Sequence, residues 1–133
     1  MNGDSVENRA VAFVAEYYRQ KGYTVENVCR ARGQHAGYDL LVKNDTEELR
    51  LEVKGCTRRH GIPDPYGTEF DFETRLLIAD FLCVVYYIDE QLPALAIIPR
   101  EAIPPEFITP KLAYRISSKF KNAQTLNKFF VQT

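Results

Sequence analysis

Asp39, Glu52 and Lys54 are the residues whose types and spacing could do chemistry. They lie in two apolar-rich runs, Gly37-Tyr38-Asp39-Leu40-Leu41-Val42-Lys43 and Leu49-Arg50-Leu51-Glu52-Val53-Lys54-Gly55. Between the runs stands the turn-forming Asn44-Asp45-Thr46-Glu47. The pattern predicts a β-hairpin. A turn centred between Asp45 and Thr46 sets Asp39 directly across from Glu52. Side chains alternate along a strand, so Leu40, Val42, Leu49, Leu51 and Val53 share a core face. Asp39, Glu52 and Lys54 share the other. Two carboxylates facing each other destabilise a hairpin. A divalent cation or Lys54 could offset the repulsion. An ordinary sheet with a solvated Glu–Lys face would carry the same residues, and a Glu-x-Lys tripeptide alone is a weak signal.

Asp…Glu-x-Lys on adjacent strands resembles the core of the PD-(D/E)xK nuclease superfamily. Within it the chain is most similar to the NO VEIN C-terminal family, which is nuclease-like. The resemblance is carried by Glu7 in a first helix, then Gly37-Tyr38-Asp39, then Leu51-Glu52-Val53-Lys54-Gly55. It implies that Asp39 and Glu52 are metal ligands, joined by the Val53 carbonyl and by Glu7. It implies that Lys54 places or activates the attacking water, and that the cofactor is Mg²⁺ or Mn²⁺. The expected activity is metal-dependent phosphodiester cleavage in nucleic acid, DNA before RNA, with a homodimer as a possible assembly. The alternative is a catalytically silent nuclease fold used for nucleic-acid binding or protein assembly. Tyr38 stands where the superfamily name has Pro. The stretch from Cys56 to Gly67 is longer than the family's usual connection, so no functional residue carries over there.

The helix that would bring Glu7 to the hairpin spans residues 5–21. Its apolar residues at 6, 10, 13, 14, 17 and 18 recur at helical spacing. Glu7 shares a row with Val11, Val14 and Tyr18 at the edge of the apolar face, whereas Glu16 lies on the solvent side. Asp4-x-x-Glu7 also has the form of a capping box, in which Glu7 would bind the start of the helix instead. Arg32, Arg58 and Arg59 are the cations nearest the hairpin in sequence. They are candidates for phosphate contact, with a solvated loop as the plain alternative. His60 could act as a general base, although the motif already supplies a water-activating group.

The remaining segments predict a layered α/β sandwich with a central mixed sheet, a restriction-endonuclease-like α-β-β-β-α-β core, over residues 1–133 as one domain. Strands are expected at 23–29, 81–88 and 94–98, with short strands at 70–72 and 113–117. Further helices are expected from about residue 71 or 73 to 79 and over 125–131. Gly61, Pro63, Pro65 and Gly67 make 55–68 a loop.

Composition sets the outer limits. The chain is 45% hydrophobic and 26% charged with a net charge of −1, which excludes a strongly cationic coat. Charge is unevenly placed: residues 109–133 carry Lys111, Arg115, Lys119, Lys121 and Lys128 without an acid. Such a tail suits phosphate contact or a solvated face. The widely spaced Cys29, Cys56 and Cys83 fit neither a zinc motif nor a disulfide framework, which points to reduced thiols in a cytoplasmic protein. The longest apolar run, residues 81–88, is too short to span a membrane.

Overall fold

The computed structural model describes residues 6–28, 38–55, 77–86, 92–103, 108–109, 115–116 and 127–132. Helix α1 (Val6–Gln20) leads into β1 (Thr24–Asn27), the hairpin β2 (Leu40–Lys43) and β3 (Glu48–Gly55), then β4 (Phe81–Tyr86) and β5 (Ala94–Pro99). A 3₁₀ turn at Arg100–Ala102 follows, then β6 (Ile108–Thr109), β7 (Arg115–Ile116) and β8 (Phe130–Val131). The main sheet runs β1-β2-β3-β4-β5-β8. It is mixed: β3 and β4 are parallel and the other neighbours antiparallel. The fold is α/β, as the sequence predicts.

α1 ends where the sequence says it should. Gly22 adopts φ +94°, a conformation that costs glycine little. The Tyr23 and Gly22 amides donate to the Tyr18 and Arg19 carbonyls at 3.0 Å each, closing the last turn in the Schellman manner. The chain then reverses into β1, helped by edge-on packing of Tyr18 against Tyr23.

Both faces of the sheet are covered. One core layer packs Ala10, Val14 and Tyr18 of α1 on Leu40, Val42, Leu51, Val53, Cys83 and Val85. The opposite layer gathers Leu77, Ala79, Leu82, Val84, Tyr86, Ala96, Ile98 and Ile103, with Tyr38, Phe129 and Phe130 against it. Strands buried on two faces read as continuous apolar runs, which is why residues 81–86 show no alternation.

Two expectations are corrected. The helix expected to reach residue 79 does not include Leu77–Ala79, and its earlier part lies outside the described residues. Leu77 makes an isolated bridge and the next three residues bend. The Arg100 guanidinium takes the Leu77 and Ile78 carbonyls at 3.3 and 3.2 Å, acceptors that a continuing helix would need. The helix expected over 125–131 is a 3₁₀ turn at Asn127–Phe129 followed by β8. Phe130 packs with Tyr86 on one face while Val131 joins the other layer. That alternation is a strand's, and seven residues nucleate a helix poorly. The strand expected at 113–117 is present over Arg115–Ile116 as β7, paired with β6 in a separate two-stranded sheet. The short strand at 70–72 and the loops at 30–36 and 56–68 lie outside the described residues.

Candidate active site

The hairpin has the expected register. Leu40 pairs with Leu51, Leu41 with Arg50, Val42 with Leu49 and Lys43 with Glu48. Asn44 sets the turn: its Oδ1 accepts from the Thr46 and Glu47 amides at 2.9 Å each, and its own amide donates to the Glu47 carbonyl. A side chain that closes its own turn in this way fixes the strands' offset, and so the position of Asp39 against Glu52.

Asp39 is tied at three points. Its amide donates to the Leu51 carbonyl at 2.8 Å, its carbonyl accepts from the Val28 amide at 2.9 Å, and its Oδ2 accepts from the Val53 amide at 2.8 Å. The carboxylate is therefore held against β3 at the point where β2 begins. Each carboxylate oxygen can accept more than one bond, so the Val53 amide orients Asp39 without using up its acceptor capacity.

Glu52 and Lys54 follow on the same strand face, with Lys54 Nζ 3.5 Å from Glu52 Oε2. That face is buried, unlike the solvated Glu–Lys face of an ordinary two-sided sheet. Glu52 is only 6% exposed and is the buried charged residue among those described. It lies beside Leu82, and Lys54 beside Val84, of the parallel β4. The apolar layer on this face withdraws the pair from water. Burial first, and then the Asp39 charge, push the Glu52 carboxyl up to about 8, against the opposing pull of Lys54.

α1 contributes Glu7. Its carboxylate accepts from the Gly55 amide and feels both Lys54 and Asp39; burial raises its pKa above the usual carboxylate value. Three acids thus share the field of one ammonium. Glu16 lies exposed on the outer side of α1, 3.8 Å from Arg19. The approach of α1 depends on Gly55. A Cβ there would lie 2.8 Å from Ala10 Cβ and 2.9 Å from the Val6 carbonyl oxygen. Gly55→Ala is therefore expected to push the first turn of α1 off the sheet and cost about 1–3 kcal/mol. A thermal melt checks this, and an unchanged midpoint would contradict the close-approach argument.

Residues that sequence reasoning did not single out brace the site from the other end of β3. The Arg50 amide and Nε both donate to Asp80 Oδ2, at 2.8 and 3.3 Å, and Nη2 donates to Oδ1 at 3.3 Å. Arg100 reaches the same carboxylate at 3.9 Å. Burial pushes Asp80 up, but the Arg50 bonds and both guanidinium charges together hold it below the usual range. Arg50 also lies 6.0 Å from the centre of the Tyr38 ring, a cation–π distance, and so supports the residue that precedes Asp39. The only sequence signal was Asp80 standing immediately before an apolar run.

Arg32, Arg58, Arg59 and His60 lie outside the described residues, as do Cys29 and Cys56. Cys83 is a free thiol, wholly buried, and burial raises its pKa, so it is no nucleophile at neutral pH.

Among the described residues, no group of three or more His, Cys, Asp or Glu is gathered closely enough to enclose a metal ion. The donor chemistry nevertheless suits Mg²⁺ or Mn²⁺, which take hard oxygen ligands and need only one or two protein carboxylates, water supplying the rest. Burial first and then the Asp39 charge raise Glu52, and a cation bound there would relieve the repulsion between the two acids.

The structure thus gathers Glu7 of α1, Asp39 at the entry to β2, and Glu52 and Lys54 of β3. Residues 6–62 match the model of the family described as Protein NO VEIN, C-terminal, which is nuclease-like. The matched span is less than half of the chain, but it contains α1 and β1 to β3, and with them Glu7, Asp39, Glu52, Val53 and Lys54. No curated protein and no solved structure matches the chain. Among the described residues, no helix is long and apolar enough to cross a membrane.

Proposed function

We propose that the chain is a metal-dependent phosphodiesterase acting on nucleic acid, as a DNA endonuclease, with RNA the other substrate class such a site accommodates. The observation that carries this reading is the acid pair of Asp39, immediately before β2, and Glu52 on β3, with Lys54 3.5 Å from Glu52, inside a span that matches a nuclease-like family. Asp39 and Glu52 hold Mg²⁺ or Mn²⁺, with the Val53 carbonyl and Glu7 alongside. The bound ion would lower the pKa of water and neutralise charge on the phosphate. Lys54 keeps a positive charge beside the attacking water. Asp39, tied through its backbone and its Oδ2, keeps its place as the substrate arrives.

The Lys54–Glu52 pair favours a second reading. A lysine that already compensates a buried glutamate can serve stability alone, leaving a silent nuclease fold that binds nucleic acid or assembles with protein. Plasmid and oligonucleotide substrates incubated with Mg²⁺, Mn²⁺ or EDTA separate the two. Cleavage in either metal and none in EDTA is the expected result. Binding without cleavage in both metals would replace the enzyme by the module.

A further inference from the structure

We propose that Arg50 and Tyr38 are positioning residues for the carboxylate site. Asp80 fixes the Arg50 guanidinium, the guanidinium fixes the Tyr38 ring, and the ring fixes the chain where it enters Asp39. This rests on the nuclease reading above and goes beyond it by naming residues outside the motif that set the geometry of the site. Asp80 holds Arg50 at four points: the Arg50 carbonyl accepts from the Asp80 amide at 2.8 Å, the Arg50 amide and Nε donate to Asp80 Oδ2, and Nη2 donates to Oδ1. A guanidinium paired to a carboxylate through two nitrogens is fixed in orientation as well as in place.

Two supports hold the Tyr38 ring, and both belong to this cluster. The first is the Arg50 guanidinium, 6.0 Å from the ring centre. The second is the apolar layer that includes Leu77 and Ala79. Arg100 ties that segment down: it takes the Leu77 and Ile78 carbonyls and lies 3.9 Å from Asp80. The residue after Tyr38 is Asp39, its Cα about 3.8 Å further on across a trans peptide, so a fixed ring leaves the Asp39 backbone little room to turn. The Leu51 carbonyl and the Val53 amide set how close Asp39 lies to β3, and the ring sets the path by which the chain arrives. The Asp80 bonds would join β4 to β3 without any ring, so Tyr38 is the part of the cluster that points to the site. The sign of its effect on a metal separates positioning from bare charge. Arg50 shares a strand face with Glu52, two residues on. As a charge alone it would oppose a cation at the acids, and its loss would tighten metal binding. As a positioning residue, its loss weakens metal binding.

The test uses Mn²⁺ alone as the probe, its binding to the full chain followed by electron paramagnetic resonance, and then plasmid cleavage in saturating Mn²⁺. Arg50→Met keeps an unbranched apolar stem and removes the guanidinium. It should weaken Mn²⁺ binding about tenfold, the low end for residues that orient metal ligands, because the Val53 bond to Asp39 remains. In cleavage, kcat should fall with KM for the plasmid unchanged, since Arg50 acts through Tyr38 and not on the substrate. Tyr38→Leu should weaken Mn²⁺ binding to the same degree, whereas Tyr38→Phe, which keeps the ring, should match the wild type. Arg50→Met and Tyr38→Leu together should be no worse than either alone, the mark of two residues acting through one contact. If Arg50→Met does not fold, Tyr38→Leu against Tyr38→Phe decides alone. Unchanged or tighter Mn²⁺ binding in Arg50→Met and Tyr38→Leu, equal losses in Tyr38→Phe and Tyr38→Leu, or losses that multiply in the double variant would each overturn the positioning role and leave the nuclease reading standing. Mn²⁺ binding weakened as expected, in a protein that cleaves nothing, would keep the positioning role and overturn the nuclease reading. A wild type that binds no Mn²⁺ would overturn both.

Discussion

Lys54→Ala is expected to reduce metal-dependent cleavage by about 10³-fold while the protein still folds. Removing one preorganised group that stabilises developing charge typically costs a factor of this order. The loss should appear in kcat and kcat/KM together, because the charge is needed in the transition state more than for binding the ground state. The stability effect is smaller, but not negligible. An exposed lysine usually alters stability by less than about 0.5 kcal/mol, whereas the Lys54 side chain is only 14% exposed and pairs with Glu52. Its removal leaves Glu52 without a counter-ion. Glu52 is already predisposed to hold a proton, so proton uptake limits the penalty to about 1–2 kcal/mol, below that of an uncompensated buried charge. Equal losses of cleavage in Lys54→Ala and in a Lys43→Ala control, on the exposed end of β2, would remove Lys54 from the mechanism.

The second large effect is on stability against pH. In EDTA, wild-type protein should lose stability relative to Glu52→Gln as pH rises from about 4.5 to about 8, and the difference should level off above that. The sign follows from linkage. The folded protein holds the Glu52 proton more tightly than the unfolded chain does, with a pKa of about 8 against 4.5. The stabilising contribution is complete below 4.5 and disappears as pH climbs through 8. The shift sets a ceiling of about 5 kcal/mol, and structural relaxation brings the expected difference to a few kcal/mol. Glutamine mimics the protonated acid, so its curve lacks this decline. Mg²⁺ binds the ionised form, and should therefore stabilise the wild type more at pH 8.5 than at pH 6 and leave Glu52→Gln almost unaffected. Parallel pH curves for the two proteins in EDTA would show that Glu52 titrates normally.

The hairpin was legible in the sequence because alternation, turn chemistry and the opposed acids all specify one register. Asn44 could be read as a turn residue, and its side chain proves to close the turn. α1 was legible for a similar reason: the period of its apolar residues and the Lys21-Gly22 stop agree, and Glu7 falls where the edge of the apolar face meets β3. Sequence could not show that the acid face is buried. Alternation assigns Glu52 to the face opposite Leu51, but the cover over that face comes from Leu77, Ala79 and Ile103, distant in sequence. The C-terminal strand was missed because Phe129-Phe130-Val131 suits either a helix or a strand when seven residues are viewed alone. Only pairing with β5 decides between them. Asp80 was passed over because its value depends on two arginines, 30 residues before it and 20 after.

The parallel alignment of β3 with β4 also orders the events by which the charges are buried. β2 and β3 meet across a four-residue turn, so their pairing costs little loop-closure entropy, whereas Leu51 meets Phe81, 30 positions further along the chain. A chain that forms the hairpin first does so with Asp39 and Glu52 still in water, where their repulsion is screened. The electrostatic cost falls later, when β4 and the apolar layer close over Glu52. Interactions made that late act mainly on the unfolding rate. Raising the pH should therefore make the native protein open sooner while changing little in how fast it forms, and a bound cation should act chiefly as a brake on opening. On the proposed function, kinetic persistence would be tied to the ion that Asp39 and Glu52 would hold.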